Sequence, residues 1–199
     1  MPRDAVKISE LEIENLLQQR PERHLSASDK LLKPAAVLIP IYQKNGNWSL
    51  VFTHRTHSVQ DHKGQVSFPG GTMEPQDDGP VSAALREAHE EIGLEPADVV
   101  VLGSLGELAT STHYMVTPVV GKIPWPYRFK VSPLEVEKVF SIPLSWLADR
   151  SHWIEEVKEH HGSKHHLIIY QPYKGENLWG VTAQITINFL KILNLLSAS

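Results

Sequence analysis

The chain has 199 residues, 41% of them hydrophobic and 21% charged, which is typical of one folded domain and excludes wholesale disorder. A formal charge of −4 argues against a dedicated nucleic-acid binder, and the lack of cysteine excludes disulfides, thiolate metal sites and a cysteine nucleophile. The apolar run at residues 35–42 is far shorter than the ~20 residues of a membrane span. The first residues lack the apolar core of a secretory signal, so we expect a cytoplasmic protein without a membrane partner.

The N-terminal segment predicts a helix over residues 7–19. Ser9 and Glu12 form a capping box, and an apolar stripe follows at near-helical spacing, formed by Ile8, Leu11 and Leu16. We therefore expect a helical extension over residues 1–30 that packs on a main domain over residues 31–199.

The next segment predicts a β-hairpin. Residues 35–42 and 48–55 are rich in β-forming side chains, and Asn45-Gly46 between them is a strong hairpin signal. Residues 58–64 read as a loop and residues 65–68 as a short strand. We expect Pro69-Gly70-Gly71 to interrupt any regular element.

The rest of the chain mixes helices and strands. Residues 81–92 predict a helix that Gly93 caps, and residues 182–196 predict a closing amphipathic helix. Further strands are expected at residues 99–105, 116–123, 139–142, 154–157 and 167–170, with a helical turn within 132–137. This order indicates an α+β fold, a mixed α/β/α sandwich, and not a regular parallel sheet.

Three carboxylates crowd one face of the predicted helix at residues 81–92. At 100° per residue, Glu87, Glu90 and Glu91 fall within an arc of roughly 100°. Like charges at this spacing destabilise a helix, and Arg86 is placed to offset one of them. The face is either a solvated acidic surface or the ligand set of a divalent cation such as Mg²⁺ or Mn²⁺. Gly70-Gly71 upstream favours the cation, because glycine lets backbone approach a metal-bound phosphate closely.

These residues resemble the Nudix box of Nudix hydrolases. The family pattern has a glycine, five residues, a glutamate, seven residues, and then Arg-Glu-aliphatic-x-Glu-Glu-x-Gly-aliphatic. Gly71 occupies the first position, and residues 86–94 match the second half, with Ala88 at the aliphatic position. Asp77 stands in place of the first glutamate, one residue farther than usual from Arg86. Asp78 restores that spacing but lies too far from Gly71, so either aspartate is a candidate to serve the metal.

Residues upstream of the box are similar to the subgroup of Nudix hydrolases that cleave coenzyme A. That pattern requires Thr-x-Arg, then a glycine, then Phe-Pro-Gly-Gly, and this chain has Thr53, Arg55, Gly64 and residues 68–71 at the right spacing. Gln60 replaces an arginine of the pattern, and Thr56 is slightly larger than its usual Ser or Ala.

The resemblance implies a Nudix fold: a mixed central sheet, the box helix, a C-terminal helix and the added N-terminal helix. It also implies metal-dependent hydrolysis of coenzyme A, and possibly acyl-coenzyme A, to 3′,5′-adenosine diphosphate and 4′-phosphopantetheine. The implied metal ligands are Glu87, Glu90, Glu91 and Gly71. The general base is one of the box carboxylates, Glu135 or Glu137, and Arg86 either orients a catalytic carboxylate or forms a plain surface salt bridge.

The implied substrate-binding residues are Arg55, Lys63, Gly64, Phe68 and Gly70. Two have ordinary alternatives: Arg55 as a strand-end charge and Phe68 as a core side chain. His160-His161 and His165-His166 read as a solvated hairpin tip, since a structural zinc site needs four convergent ligands.

Two other functions are consistent with the sequence. Gln60 leaves open another nucleoside diphosphate derivative, such as ADP-ribose or NADH. A non-catalytic binding module on the same fold is the other alternative, although both Glu90 and Glu91 are present. The apolar terminal helices either cover the core or form a homodimer contact.

Overall fold

The structure is a computed structural model that describes residues 6–19, 32–56, 64–160 and 163–196, without the side chains of 158–160 and 163–166. Its four helices are α1 (Glu10–Gln18), α2 (Pro80–Ile92), α3 (Leu144–Leu147) and α4 (Gly180–Ile192). Its strands are β1 (Lys33–Lys44), β2 (Asn47–Arg55), β3 (Val66–Ser67), β4 (Gly70–Thr72), β5 (Val100–Ser104), β6 (Leu108–Ala109), β7 (Tyr114–Lys122), β8 (Val136–Pro143), β9 (Trp153–His160) and β10 (Ser163–Tyr170).

Strands β1–β8 form one mixed sheet, and β9–β10 form a separate two-stranded ribbon. The main path through the sheet is β3-β2-β1-β7-β5, with β4 on β1, β6 on β7 and β8 on β2. Among the strands of the described residues, only β1 and β7 pair in parallel; the other pairs are antiparallel. The β1–β2 hairpin turns at Asn45 and Gly46, both with positive φ, as the Asn-Gly signal predicts.

Alternating side chains of β1 enter two different cores. Ala36 and Leu38 pack with α2 on one face, whereas Ala35 and Ile39 pack with α4 and α1 on the other. A strand that is buried on both faces needs apolar side chains at successive positions, which explains the continuous apolar run of β1. The predicted α/β/α sandwich with a mixed central sheet is therefore confirmed.

Helix α1 begins at the predicted Ser9–Glu12 capping box, and two residues of the predicted stripe, Ile8 and Leu16, pack partly buried against the core. Its buried side chains are Ile13 and Leu17, while Leu11 is exposed. Leu17 lies over Gly103 of β5, where an added Cβ would meet it at 3.0 Å. This short helix has several apolar positions that could face the core, and the packing of α1 against β5 determines which of them are buried.

Helix α2 begins at Pro80 and ends at Gly93, whose φ of 63° is the left-handed cap that the sequence predicts. Its buried side chains are Ala83, Ala84, Ala88, Glu91 and Ile92. The small alanines let the helix lie close to β1 and β4, so its acidic face is held near the sheet.

Two elements differ from the sequence-based expectation. The predicted interruption at Pro69-Gly70-Gly71 falls at Phe68-Pro69, between β3 and β4, whereas Gly70 and Gly71 lie in β4, which pairs with β1. Residues 154–157 and 167–170 are parts of a longer ribbon whose pairing extends to His160 and Ser163. The sequence predicts the tip of that hairpin at residues 162–164, between the histidine pairs, but Ser163 and Lys164 already pair with β9, and residues 161–162 lie outside the described residues. No helix in the described part of the chain is long and apolar enough to cross a membrane.

Candidate active site

The three box glutamates lie at increasing depth on α2. The side chain of Glu90 is 53% exposed, that of Glu87 15% and that of Glu91 only 1%. A merely solvated acidic face would leave all three carboxylates in water. The burial of Glu91 therefore favours the interpretation of this face as a built site.

Glycine is required where β4 passes over α2. A Cβ at Gly71 would lie 2.5 Å from Glu87 Oε1, so only the absence of a side chain lets this carboxylate reach the strand. At Gly70 an added Cβ would collide with the backbone of Ala36 and Val37 in β1. The glycine pair thus closes one wall of the site by backbone alone.

Arg86 is the centre of a network of charged hydrogen bonds. Its Nε and Nη2 donate to the two carboxylate oxygens of Asp77 at 3.1 and 3.0 Å, and Nη2 also donates to the Thr72 carbonyl. Its Nη1 donates to Glu87 Oε1 at 2.9 Å and to Glu90 Oε2 at 3.2 Å. Arg86 therefore orients two box glutamates, and the arrangement is much more than the surface salt bridge considered as its alternative.

The two aspartates differ sharply in environment. The side chain of Asp77 is 2% exposed, and the Arg86 guanidinium holds the pKa of this carboxyl below its usual range, assisted by the Glu74 N–H. Asp78 is exposed. Asp77 thus anchors Arg86 in this structure instead of presenting a free carboxylate to a cation.

Glu91 pairs with Arg55 from the end of β2. Arg55 Nη1 donates to Glu91 Oε1 at 2.9 Å, while Glu91 Oε2 is buried with no hydrogen-bond partner among the described residues. Burial raises the pKa of Glu91 to about 7; the Arg55 guanidinium opposes this shift, and the Glu87 and Glu135 carboxylates add to it. Arg55 is therefore more than a plain strand-end charge, because it neutralises a buried carboxylate.

The segment over residues 130–135, which ends in a turn at 133–135, brings Glu135 to the same site. The N–H groups of Lys130 and Ser132 donate to the last carbonyls of α2, those of Ile92 and Glu91, at 2.9 and 2.8 Å. At the other end, the Thr56 N–H donates to the Glu135 carbonyl, and the Thr56 hydroxyl donates to the Leu134 carbonyl. Sequence reasoning assigned no such role to Thr56, which anchors this turn to β2.

The site carries more negative than positive charge. Glu87, Glu90, Glu91 and Glu135 face two arginines, and Asp77 already engages one of these. Burial raises the pKa of Glu87, although Arg86 opposes this, and the neighbouring Glu90 and Glu135 carboxylates raise it further. A divalent cation would relieve this repulsion and satisfy the orphaned Glu91 oxygen, so the residues fit such an ion. Across the described residues, no three acidic or histidine side chains form a complete ligand cluster as they stand.

A pH-dependent stability follows from the raised pKa of Glu91. In metal-free protein, a carboxyl whose folded pKa lies near 7 contributes stability that is complete below its ordinary pKa of 4.5 and is lost as the pH rises through about 7. The loss is on the order of 3 kcal/mol. Between pH 5 and 8, we expect the free energy of unfolding of Glu91→Gln to rise by this amount relative to that of the native chain. The measurement is denaturant unfolding in EDTA. Glu95→Gln, at an exposed position, is the matched control; parallel pH curves for Glu91→Gln and the native chain would contradict the assignment.

Several residues predicted to bind substrate make structural contacts within the protein. Phe68 is 3% exposed and stacks on Phe52 in the core, which corrects its assignment as a ligand contact. Gly64 accepts a hydrogen bond from His54 Nε2 through its carbonyl, and Gly70 packs on β1. Lys63 and Gln60 lie outside the described residues.

A second polar cluster lies beside His54. His54 Nδ1 is 3.4 Å from Glu137 Oε2 and 4.0 Å from Glu176 Oε2, and Lys138 Nζ is 2.6 Å from Glu176 Oε1. Glu137 thus pairs with His54, and Glu135, the other proposed base, is the one that interacts with Glu87 and Glu91. The sequence gives little signal for this cluster, since Glu176 is distant along the chain.

Comparison with known proteins identifies the class to which this site belongs. The NUDIX domain family model matches residues 32–166. A protein described as Uncharacterized Nudix hydrolase NudL, from Photorhabdus laumondii, is 38% identical over 167 residues, which cover 83% of this chain and 86% of that protein. A protein of the same description from Yersinia enterocolitica is 37% identical over 163 residues, covering 81% and 82%.

A solved structure, DR0079 from Deinococcus radiodurans, supports the fold. It is 13% identical, with a TM-score of 0.53 over 86% of this chain and 93% of that chain, and at this identity the likeness shows the fold alone. Taken with the family match, these findings show that the chain belongs to the Nudix family. It is a Nudix hydrolase, an enzyme that acts on the diphosphate bond of nucleoside diphosphate derivatives, and hydrolases of this family use divalent metal ions.

Proposed function

We propose that this Nudix hydrolase cleaves the diphosphate bond of coenzyme A, with Mg²⁺ or Mn²⁺, to 3′,5′-adenosine diphosphate and 4′-phosphopantetheine. The observation that carries the metal-dependent chemistry is the group of carboxylates of Glu87, Glu90, Glu91 and Glu135 beside Gly70 and Gly71 of β4. The choice of coenzyme A is supported by the residue pattern Thr53, Arg55, Gly64 and 68–71.

The proposed roles follow from the position of each group. Glu87, Glu90 and Glu91 would hold the metal, with the Gly71 carbonyl as a further ligand, and the bound ion would neutralise phosphate charge and acidify a water. Glu135 is the proposed acceptor of the water proton, because it is a fourth carboxylate that is fixed from a different element. Arg86 holds Glu87 and Glu90 in place, so it is a positioning residue.

We propose that two positively charged side chains bind the substrate. Arg55, at the end of β2, and Lys63, eight residues further along the chain, are proposed to bind phosphate oxygens, since guanidinium and ammonium groups suit them. The homodimer and the cytoplasmic location predicted from the sequence are further proposals that stand apart from this chemistry.

A second substrate class is favoured by one residue. Gln60 replaces an arginine of the coenzyme A pattern, so ADP-ribose or a dinucleotide such as NADH is the alternative. The loss of this arginine side chain would weaken the binding of a coenzyme A phosphate, and it would affect the hydrolysis step less.

The decisive test is a substrate panel with purified full-length protein. Coenzyme A, an acyl-coenzyme A, ADP-ribose, NADH and nucleoside triphosphates are incubated with Mg²⁺ or Mn²⁺, and products are identified by mass. We expect 3′,5′-adenosine diphosphate and 4′-phosphopantetheine from coenzyme A, and none in EDTA. Rapid turnover of ADP-ribose with coenzyme A untouched would contradict the proposed substrate, and no turnover of any compound would contradict the proposed catalytic site.

A further inference from the structure

The ion pair between Arg55 and Glu91 joins two groups that the proposed function gives to different ligands. Arg55 Nη1 lies 2.9 Å from Glu91 Oε1. The Glu91 side chain is 1% exposed and that of Arg55 is 21% exposed. Glu91 is thus fixed inside the site, whereas the arginine reaches solvent. While the pair is closed, it opposes both the binding of a cation by Glu91 and the binding of a phosphate by Arg55.

Glu91 is only partly satisfied by this pair. A carboxylate offers about four acceptor positions, yet Oε2 of Glu91 is buried and has no hydrogen-bond partner among the described residues. The carboxylates of Glu87 and Glu135 add repulsion at the same place. A divalent cation brings twice the charge of a guanidinium and interacts with all of these carboxylates together, so it competes effectively for Glu91.

The backbone around Arg55 is anchored, so only the side chain of Arg55 has to move for its guanidinium to leave Glu91. The Arg55 N–H donates to the Gln65 carbonyl at 3.0 Å, and Arg55 pairs with Val136 across the sheet. Thr56, the next residue, is held by Leu134 and Glu135. A long guanidinium side chain that is partly exposed can rotate about its own bonds, and its fork of donors then suits a diphosphate.

We propose that Arg55 is a metal-gated phosphate ligand: a divalent cation displaces it from Glu91, and the released guanidinium then binds the substrate diphosphate. This inference rests on the proposed function and adds an order of binding to it. The metal binds first. Without the metal the substrate binds weakly, because Arg55 is still paired with Glu91 and the carboxylates of the site repel an anion.

The exchange can be observed directly on the Arg55 side chain. In ¹H–¹⁵N spectra of the full-length protein, the Arg55 Nε–Hε resonance, assigned by its absence in Arg55→Gln, is followed during titration with MgCl₂ alone and then with α,β-methylene-ADP. We expect a first shift that saturates with Mg²⁺ binding and a second shift when the analogue is added. We expect the analogue alone to cause little change. In Glu91→Gln, Mg²⁺ should leave the resonance where it was.

Calorimetry supplies a second readout that does not depend on activity. Arg55→Gln removes the competitor, so we expect Mg²⁺ to bind this variant about tenfold more tightly than the native chain. Lys130→Gln makes the same charge change close to the end of α2, at an exposed side chain, and should alter Mg²⁺ affinity less than twofold. Equal tightening in both variants would mean a general charge effect and would overturn the exchange.

The outcomes separate this inference from the proposed function. If the protein hydrolyses coenzyme A but the Arg55 resonance does not shift with Mg²⁺, the proposed displacement of Arg55 is wrong and the proposed function stands. Mg²⁺ that moves the resonance in a protein inactive on coenzyme A would support the exchange and contradict the substrate. If Mg²⁺ does not bind to the native chain at all, both are wrong.

Discussion

Glu90→Gln is expected to lower kcat for hydrolysis by about 100-fold or more, the range for loss of a group that acts directly in the chemical step. An amide oxygen carries no charge and is a weaker ligand for a hard divalent cation than a carboxylate. The fold should tolerate the change, since Glu90 is half-exposed and is held by a single 3.2 Å bond from Arg86 among the described side chains. We therefore expect the free energy of unfolding to change by no more than about 0.5 kcal/mol.

This prediction is tested by initial rates at saturating Mg²⁺ together with denaturant unfolding of the same preparation. Glu95→Gln is the matched control: it is an exposed glutamate just beyond α2 that pairs with His89 at 3.5 Å, away from the site. A Glu90→Gln protein that keeps kcat within threefold of the native value would remove Glu90 from the proposed metal ligands.

Arg86→Met is expected to lower the free energy of unfolding by about 1.5 to 3 kcal/mol, the range for losing hydrogen bonds between charged groups. Asp77 would lose its two bonds from the guanidinium and keep the one from the Glu74 N–H, and Glu87 would lose its bond at 2.9 Å. Activity should fall as well, because two box glutamates lose the group that orients them. This is the largest loss of stability that we expect from a single substitution in the site.

The pH dependence of that effect provides an internal check. Arg86 holds the pKa of Asp77 below its ordinary value of 3.8, so the stability from this pair is present above pH 3.8 and is lost as the pH falls through the folded pKa. The gap between the native chain and Arg86→Met should therefore narrow below pH 4 in urea titrations. Arg128→Met, at an exposed arginine, controls for loss of a surface charge; a gap under about 1 kcal/mol at pH 7 would mean a surface salt bridge only.

The sequence predicts best those features that depend on near neighbours. The capping box of Ser9 and Glu12, the Asn-Gly turn and the Gly93 cap each need only a few adjacent residues, and all three are present in the structure. The box helix was predictable in the same way, because its apolar and acidic faces follow from a 3.6-residue period. The family resemblance then identified the class of enzyme, which the NUDIX domain match confirms.

Features that depend on docking were not predictable. The depth of Glu91 and its bond to Arg55 arise only when α2 packs beside the end of β2. Periodicity placed Leu11 of α1 on the packed stripe, although Ile13 and Leu17 fill the core, since several apolar positions are equivalent until a partner surface is known. The break expected at Gly70 became a strand because β1 supplies an edge with which it pairs.

Metal-dependent attack of water on a diphosphate is the central claim, and oxygen labelling tests it most directly. The full-length protein is incubated with coenzyme A in H₂¹⁸O, with Mg²⁺ or with EDTA, and the products are weighed by mass spectrometry. We expect one ¹⁸O atom in one of the two phosphate products when Mg²⁺ is present, and no products in EDTA. Products that form equally in EDTA, or that carry no ¹⁸O, would contradict the role assigned to the carboxylates of Glu87, Glu90, Glu91 and Glu135.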